Sequence, residues 1–407
     1  MANDIIAALE IGTTMIRSVV CEIRDDDSIS VLALSEIKSN GIRKGEIFNR
    51  NEAINSVKLA LKELESNYRK SITSVIISLS GGDTECYFSD AISRIADPDE
   101  NIPLEITLND INNLSDIAKR ISLPLNRIKL HSFNQYFKVD DINNVVNPLG
   151  MSCESLSLRV LTVHGKQSVV ENFQKLVADV PIDCIYAVYS GVSSALAVTS
   201  EEMRKNGVIV INIGGGTTDY CVYHDNILKL CGTFTIGGDH ITNDISAGLQ
   251  IPVQSAEDVK IKDGNALFNL MERDRNISLP SGNEGFGGKI VRAVTLNTII
   301  EARMQEIFEL VKNEIDLKLS NLSYNGSVLI TGGGSYLNGA RDLSQKIFNL
   351  PSMIGKPINT QGLPSSNEGP MYSTLIGAVR YYKSHNKKIV QESRFKKIVN
   401  LFWGKTE

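Results

Sequence analysis

The chain has 407 residues, 42% of them apolar, with 42 Lys and Arg against 47 Asp and Glu for a net charge of −5. That apolar content can bury cores for two to four domains or subdomains, and the negative balance argues against nucleic acid as a partner. The N-terminus lacks the basic flank of a signal peptide, and no segment approaches the roughly 20 apolar residues of a membrane span. There is no Walker lysine motif and no metal-spaced His or Cys pair, which argues against P-loop and metal-hydrolase chemistry. Cys21, Cys86, Cys153, Cys184, Cys221 and Cys231 show no paired spacing and read as reduced, buried thiols.

In chain order, a β-hairpin over 4–23 carries the tip Glu10-Ile11-Gly12-Thr13-Thr14, followed by a helix from Arg50 to Asn67 and a strand from Ser74 to Ser80. From about Gly82 to Val170 the texture changes, and Pro98, Pro103, Pro124 and Pro148 break up polar, mixed segments. This stretch reads as an inserted or appended subdomain, with amphipathic helices at Thr107–Lys119 and Val169–Val180. The second half opens with a helix from Val192 to Met203 and then repeats the hairpin: Val208–Ile211, the tip Asn212-Ile213-Gly214-Gly215-Gly216-Thr217-Thr218-Asp219, and Tyr220–Tyr223. Next come Ile236-Gly237-Gly238-Asp239, a helix from Ile241 to Gly248, the charged segment Ala256–Lys260, a polar loop over Ser278–Gly288 and a long helix over Thr295–Leu319. A strand at Ser327–Thr331 then runs into Gly332-Gly333-Gly334-Ser335 and a helix-like stretch from Leu337. Strands and helices alternate throughout, an α/β layout.

The repeated tip is the chemical signal. Strand-forming residues lead in and out, glycine permits a turn whose N–H groups point inward, and threonine adds hydroxyl donors. Two such tips face to face would clamp a polyphosphate, with an acid at the incoming strand end holding a metal ion or its water. One Gly-Thr-Thr turn is usually an ordinary hairpin loop; two, with a strand-glycines-helix turn as a third element, form a nucleotide-binding layout.

A second signal lies at the end of the chain. From Lys383 onward there are seven Lys and Arg and two Glu, a basic appendage on an acidic body. After a polar linker (383–392), the segment 393–407 places Phe395, Ile398, Val399, Phe402 and Trp403 on one helical arc, with Arg394, Lys396 and Lys397 outside it. A helix this short cannot span a bilayer, but it can lie on an anionic surface; the alternative is a helix docked on its own domain.

Together the two hairpins, the Gly-Gly-Asp segment and the Gly-Gly-Gly-Ser turn resemble the actin/Hsp70/sugar-kinase superfamily. The stretches Ile236–Ile245, Ile300–Glu309 and Pro148–Met151 narrow the resemblance to the bacterial cell-division FtsA family. The resemblance implies a two-lobed actin-like fold with an FtsA-type 1C subdomain. It divides the chain into 1–81 (1A), 82–168 (1C), 169–203 (1A), 204–256 (2A), 257–324 (2B) and 325–382 (2A, returning to 1A). It also implies ATP or ADP with Mg2+ as ligands. Gly12, Thr13 and Thr14 would form one phosphate loop and Gly214, Gly215, Gly216, Thr217 and Thr218 the other, with Gly237, Gly238 and Asp239 nearby. Glu257 and Lys260 would flank adenine and ribose, and Gly332, Gly333, Gly334 and Ser335 would form the adenosine turn.

Implied partners are further copies in a filament, other division proteins through 1C, an anionic membrane and the C-terminal peptide of the tubulin-like FtsZ, held near Lys289 to Arg303. The implied location is the inner face of the cell membrane at the division site. Where the superfamily places aspartate at both strand ends, this chain has Glu10, which would reach the metal through water, and neutral Asn212; Met15 stands where a lysine is expected. These departures predict nucleotide binding with slow or undetectable turnover. Two other readings are a small-molecule kinase of the superfamily and a pilus-assembly relative that binds a partner's peptide without such a tail.

Overall fold

The computed structural model describes residues 4–385 apart from 82, 98–101, 121–122, 268–274, 279–289, 321–325 and 365–368. The first hairpin is β1 (Asp4–Ile11) and β2 (Met15–Ile23), extended by β3 (Ile29–Lys38) and a small hairpin of β4 (Ile42–Arg43) and β5 (Glu46–Ile47). Helix α1 (Arg50–Tyr68) starts where the Asn49 side chain accepts from the Glu52 N–H and leads to β6 (Ser74–Leu79).

An inserted unit follows, of β7 (Glu85–Arg94), β8 (Leu104–Glu105), α2 (Leu108–Lys119), β9 (Arg127–Val139), β10 (Ile142–Val145), β11 (Ser152–Cys153) and β12 (Ser155–Lys166); β8 and β11 form a small pair, and the other four strands form an antiparallel sheet. Its strands run in the order β10-β9-β12-β7 and its α2 is closed by a Thr107/Asp110 capping box. Ile106, Leu114, Phe137, Leu156 and Leu158 form a separate core beneath it. The chain re-enters the first lobe through α3 (Gln167–Ala178) and β13 (Asp183–Tyr189).

Helices α4 (Ser190–Val198) and α5 (Glu201–Asn206) connect to the second lobe. Its strands are β14 (Val208–Ile213), β15 (Thr218–His224) and β16 (Ile227–Phe234), followed by helices α6 (Gly238–Leu249) and α7 (Val253–Asp263). A short pair β17 (Asn276–Ser278) and β18 (Ile290–Arg292) precedes α8 (Ala293–Lys318), β19 (Ser327–Thr331), α9 (Ala340–Phe348), β20 (Ser352–Ile354) and β21 (Thr360–Gln361). A last helix, α10, covers 373–385.

The two main sheets repeat one topology. In the first, β3, β2 and β1 are antiparallel and β6 and β13 continue parallel to β1; in the second, β16, β15 and β14 are antiparallel and β19 and β20 continue parallel to β14. All six residues of β14 are buried, because its neighbours lie on both sides and helices cover both faces. Side chains from β1, α1, β6 and α3, among them Leu9, Val57, Ile77 and Phe173, fill one face of the first sheet. A larger core runs from the other face through α4 into the second lobe, taking in α8 and α10.

Three expectations change. The helix expected over Val192–Met203 is two helices: Thr199 is extended, and the Ser200 hydroxyl accepts from the Met203 N–H to start a new one. Helix α3, which periodicity placed in the inserted stretch and the division at 169–203 placed in 1A, packs in the first lobe's core, with Val169, Phe173 and Leu176 beside α1. The helix after Gly332–Ser335 begins at Ala340, beyond a 3-10 turn over Gly333–Tyr336. The boundaries read at 168/169 and 256/257 fall inside α3 and α7. Among the cysteines, Cys184 is exposed and the other five are buried and free.

One buried joint ties three parts together. The His131 Nε2 of β9 accepts from the Tyr189 N–H at 2.9 Å, and its Nδ1 lies 2.9 Å from the Tyr381 hydroxyl of α10. Burial pushes the imidazole down to about 3, with the nearby His385 acting in the same direction. An imidazole depressed in the fold gives stability that is present above its unfolded value and lost as pH falls below it. His131→Gln should cost about 1–3 kcal/mol at pH 7.5. Wild type's advantage over it should shrink by about 2 kcal/mol between pH 6.5 and 5. Urea unfolding of both chains at each pH is the check.

Candidate functional site

The two tips occupy the same place in the two sheets. In the first, Glu10 pairs across the hairpin with Arg17 and the Gly12 N–H donates to the Met15 carbonyl at 3.1 Å; in the second, Asn212 pairs with Asp219 and the Gly214 N–H donates to the Thr217 carbonyl at 2.9 Å. Each strand-end residue therefore stands two before its glycine and its cross-strand partner five after. This register corrects two expectations. The second hairpin does carry an acid, on the outgoing strand at Asp219, and a cation does stand beside the first loop, at Arg17 rather than at Met15. The Arg17 Nη1 lies 3.9 Å from the Glu10 Oε2, and its Nε lies 2.5 Å from the Glu36 carboxylate.

Asp219 is 1% exposed and is ringed by donors: Ser80 Oγ at 2.9 and 3.2 Å to its two oxygens, Ser190 Oγ at 2.5 Å, Thr233 Oγ1 at 2.7 Å and Asn212 Nδ2 at 3.5 Å. Burial pushes its carboxyl up to about 6 even though all four partners pull the other way. Burial also raises Glu10, against the pull of Arg17 and the Thr374 hydroxyl. The Glu10 Oε2 is buried without a hydrogen-bond partner. Arg17 stands 3.9 Å away, beyond hydrogen-bond reach, so this oxygen is left to accept from a metal-bound water. Among the described residues no three His, Cys, Asp or Glu side chains gather into a metal cluster, so phosphate and water oxygens would supply most of an ion's ligands.

The lobes meet at the tips. The Thr14 hydroxyl donates to Asp239 Oδ1 at 3.2 Å, and the Gly238 and Asp239 N–H groups donate to the Gly214 and Gly215 carbonyls at 2.9 and 2.8 Å. Gly215 has no room for a side chain, since a Cβ there would lie 1.9 Å from Thr14 Oγ1. Behind them opens a cleft of about 580 Å³, within the range of small-molecule sites.

Glu10, Gly12, Thr13, Thr14, Asn212, Gly214, Gly215, Gly216, Thr217, Gly238, Asp239, Glu257, Lys260, Gly332, Gly333 and Gly334 all line this cleft. Three expected residues stand behind its wall. The Thr218 hydroxyl donates to the Ile236 carbonyl, the Ser335 hydroxyl donates to the Gly332 carbonyl, and the Gly237 N–H donates to His240 Nδ1. Lys260 Nζ is held by Glu257 Oε2 at 2.6 Å, Thr242 Oγ1 at 2.8 Å and the Gly238 carbonyl at 3.1 Å.

Residues not singled out from the sequence complete the lining: Arg17, Ser80 and Asp219, and the apolar Ile241, Ile261, Tyr336, Leu337 and Met371. Aligning the two tips residue by residue would have found Arg17 and Asp219. The apolar members come from separate helices and turns and share no local pattern.

Elsewhere, Arg303 of α8 is committed within the chain, to the Asp244 carboxylate at 2.5 and 3.1 Å and to Glu306. Lys289, the tail residues Arg394, Phe395, Lys396, Lys397, Ile398, Val399, Phe402 and Trp403, and most of the linker lie outside the described residues. No helix among the described residues is long and apolar enough to cross a membrane.

Solved structures share this architecture. The PilM-PilN type IV pilus biogenesis complex matches with a TM-score of 0.64 at 14% identity, covering 93% of this chain and 99% of that one. MreB 5 of Spiroplasma citri bound to AMPPNP matches at 0.57 and 13%, covering 96% and 100%. Duplicated lobes closing on a cleft between paired hairpin tips define an actin-like protein. A family model described as cell division protein FtsA matches residues 209–377, and one described as an SHS2 domain inserted in FTSA matches residues 81–164. The cell division protein FtsA of Buchnera aphidicola subsp. Schizaphis graminum is 30% identical over 98% of both chains, and that of Neisseria meningitidis serogroup B is 31% identical over 91% of this chain and 88% of its own. The chain belongs to the FtsA family of cell-division proteins.

A carboxyl raised by burial ionises at a cost in the folded state, so the native chain holds the extra proton and loses stability as pH rises from about 4 to about 6. The stability of wild type relative to Asp219→Asn should fall by at most about 3 kcal/mol across that window and stay level above it. Chemical denaturation at pH 4, 5, 6 and 7.5 measures it.

Proposed function

We propose that the cleft binds ATP or ADP and that the protein is a nucleotide-dependent adaptor of cell division, tethering FtsZ filaments to the cytoplasmic membrane. The observation that carries the nucleotide reading is the pair of register-matched tips, whose glycines and threonines line one cleft. A structural neighbour, MreB 5, was solved with AMPPNP, which supports the same reading. The triphosphate lies against Gly12–Thr14 and Gly214–Thr217, with Lys260 near the sugar and the apolar wall of Ile261, Tyr336 and Met371 against the base. Mg2+, when bound, screens the phosphate charge; Glu10 holds it through water, and Asn212 adds a neutral amide.

Turnover is slow on this account. A carboxylate offers about four lone-pair positions, and those of Asp219 are taken by Ser80, Ser190, Thr233 and Asn212. A carboxylate so occupied has no open position at which to orient an attacking water. The cleft therefore serves as a conformational clamp rather than a catalytic centre.

The basic tail is the membrane element. Burying its apolar residues gives at most about 1.5–3 kcal/mol each, and each nearby Lys or Arg adds about 1 kcal/mol on anionic lipid. One tail binds reversibly, whereas a filament presenting many gains avidity. Self-association and contacts with other division proteins through the inserted sheet, and capture of the FtsZ C-terminal peptide near Lys289 and Arg303, complete the proposal. Because Arg303 is paired with Asp244 and Glu306, an acidic peptide there has to compete for it.

Two experiments test this. In equilibrium binding with labelled ATP, Gly215→Ala should weaken affinity at least about tenfold, since its Cβ meets Thr14 and spreads the tips, while bound ATP is recovered intact over many minutes; tight binding by the variant or rapid phosphate production would overturn the clamp. Co-sedimentation with anionic liposomes, with and without ATP, should lose the protein when the chain ends at Gln391. Equal sedimentation of both chains would make the tail a docked helix.

A further inference from the structure

Beside the nucleotide cleft lies a second, smaller recess of about 180 Å³, roomy enough for several waters at about 30 Å³ each. It shares Thr13, Gly216 and Asp239 with the cleft, so the two spaces are divided by the loop tips themselves. Its other walls are Arg43 and Lys44 from the first lobe and His240 and Asn243 from the second.

The chemistry of this recess is that of an anion site. Arg43 and Lys44 have no ion-pair partner among the described residues. They sit on the β4–β5 hairpin, where Ile42 pairs with Ile47 and Arg43 with Glu46, and a two-residue turn, Lys44-Gly45, closes the pair with φ of 51° and 72°. Both angles are left-handed, as a type I′ turn demands, and lysine is an uncommon residue there. The turn is fixed against the tips: the Gly45 N–H donates to Thr13 Oγ1 at 3.1 Å, and Gly216 packs on the Lys44 backbone. Since Thr13 Oγ1 accepts from Gly45, its own proton is left to donate. Since His240 Nδ1 accepts from the Gly237 N–H, the neutral ring carries its proton on Nε2. The one acid among the lining residues, Asp239, already accepts from the Thr14 hydroxyl. Burial lowers His240, Lys44 and then Arg303 lower it further, and Asp239 and Asp244 act less strongly in the opposite direction.

We propose that this recess is an oxyanion site that takes inorganic phosphate while the nucleotide cleft is filled, bridging Arg43 and Lys44 of one lobe to His240 and Asn243 of the other. Because such an anion holds the lobes together as the nucleotide does, each raises the other's affinity, a coupling that is reciprocal. The recess stands on its own geometry, whereas the coupling rests on the proposed nucleotide binding.

The test uses the full chain and a non-hydrolysable β,γ-imido analogue of ATP, which fills the triphosphate position so that added phosphate cannot occupy it. Inorganic phosphate, against sodium chloride of equal ionic strength, should raise affinity for the analogue at least about fivefold. In Arg43→Gln/Lys44→Asn that gain should vanish while affinity without phosphate stays within about twofold; asparagine suits the left-handed turn, so the hairpin is kept. Phosphate that weakens analogue binding, or a gain unchanged in the variant, overturns the site. If the analogue fails to bind at all, the nucleotide reading falls. The recess is then judged by thermal unfolding of the free chain: a rise in Tm with phosphate that the double variant loses supports it, and no rise refutes it.

Discussion

The buried carboxylate of Asp219 is the constraint around which the interlobe cleft is arranged. Leaving water costs a carboxylate several kcal/mol unless donors replace its hydration, and here they come from four directions: Ser80 at the end of β6, Ser190 at the start of α4, Thr233 on β16 and Asn212 across the hairpin. The first belongs to one lobe, the second to the connection between lobes and the last two to the other. Satisfying one charge thus fixes where the sheets stand relative to each other, and the tips above them inherit that placement. The Ser80 hydroxyl also reaches Thr217 Oγ1 at 2.6 Å, joining the first lobe to the second tip.

Helix α10 carries the same constraint outward. Its start borders the cleft, where Thr374 meets the Asn212 amide at 3.5 Å and Ser373 meets Thr331 at 2.7 Å. Its far end stacks His385 on Tyr381, whose hydroxyl meets His131 of the inserted sheet. One rigid element therefore touches the cleft, the family-specific subdomain and the base of the basic tail. Such continuity gives a physical route from the cleft to the start of the tail.

Much of the fold was legible because it rests on local, repeated patterns. Apolar alternation into Gly-Thr tips marked both hairpins, and Thr107 with Asp110 marked the capped α2. The cleft's polar half followed from the same tips. What stayed hidden depended on competition or on long-range assembly. Ser200 outbid helix continuation only because its hydroxyl captures the Met203 N–H. The role of Asp219 was obscured because the acid had moved to the outgoing strand, so that Asn212 alone looked like a loss of charge. The apolar wall of Ile261, Tyr336 and Met371 exists only once α7, a 3-10 turn and the approach to α10 are brought together by the fold.

The central claim is that both tips grip one ligand at once. Amide hydrogen exchange with and without ATP tests it most directly, read at Gly12–Thr14 and Gly214–Thr217. Both tips should slow together on adding nucleotide, while the strands of the inserted sheet stay unchanged. Protection of one tip alone, or of neither, would contradict it.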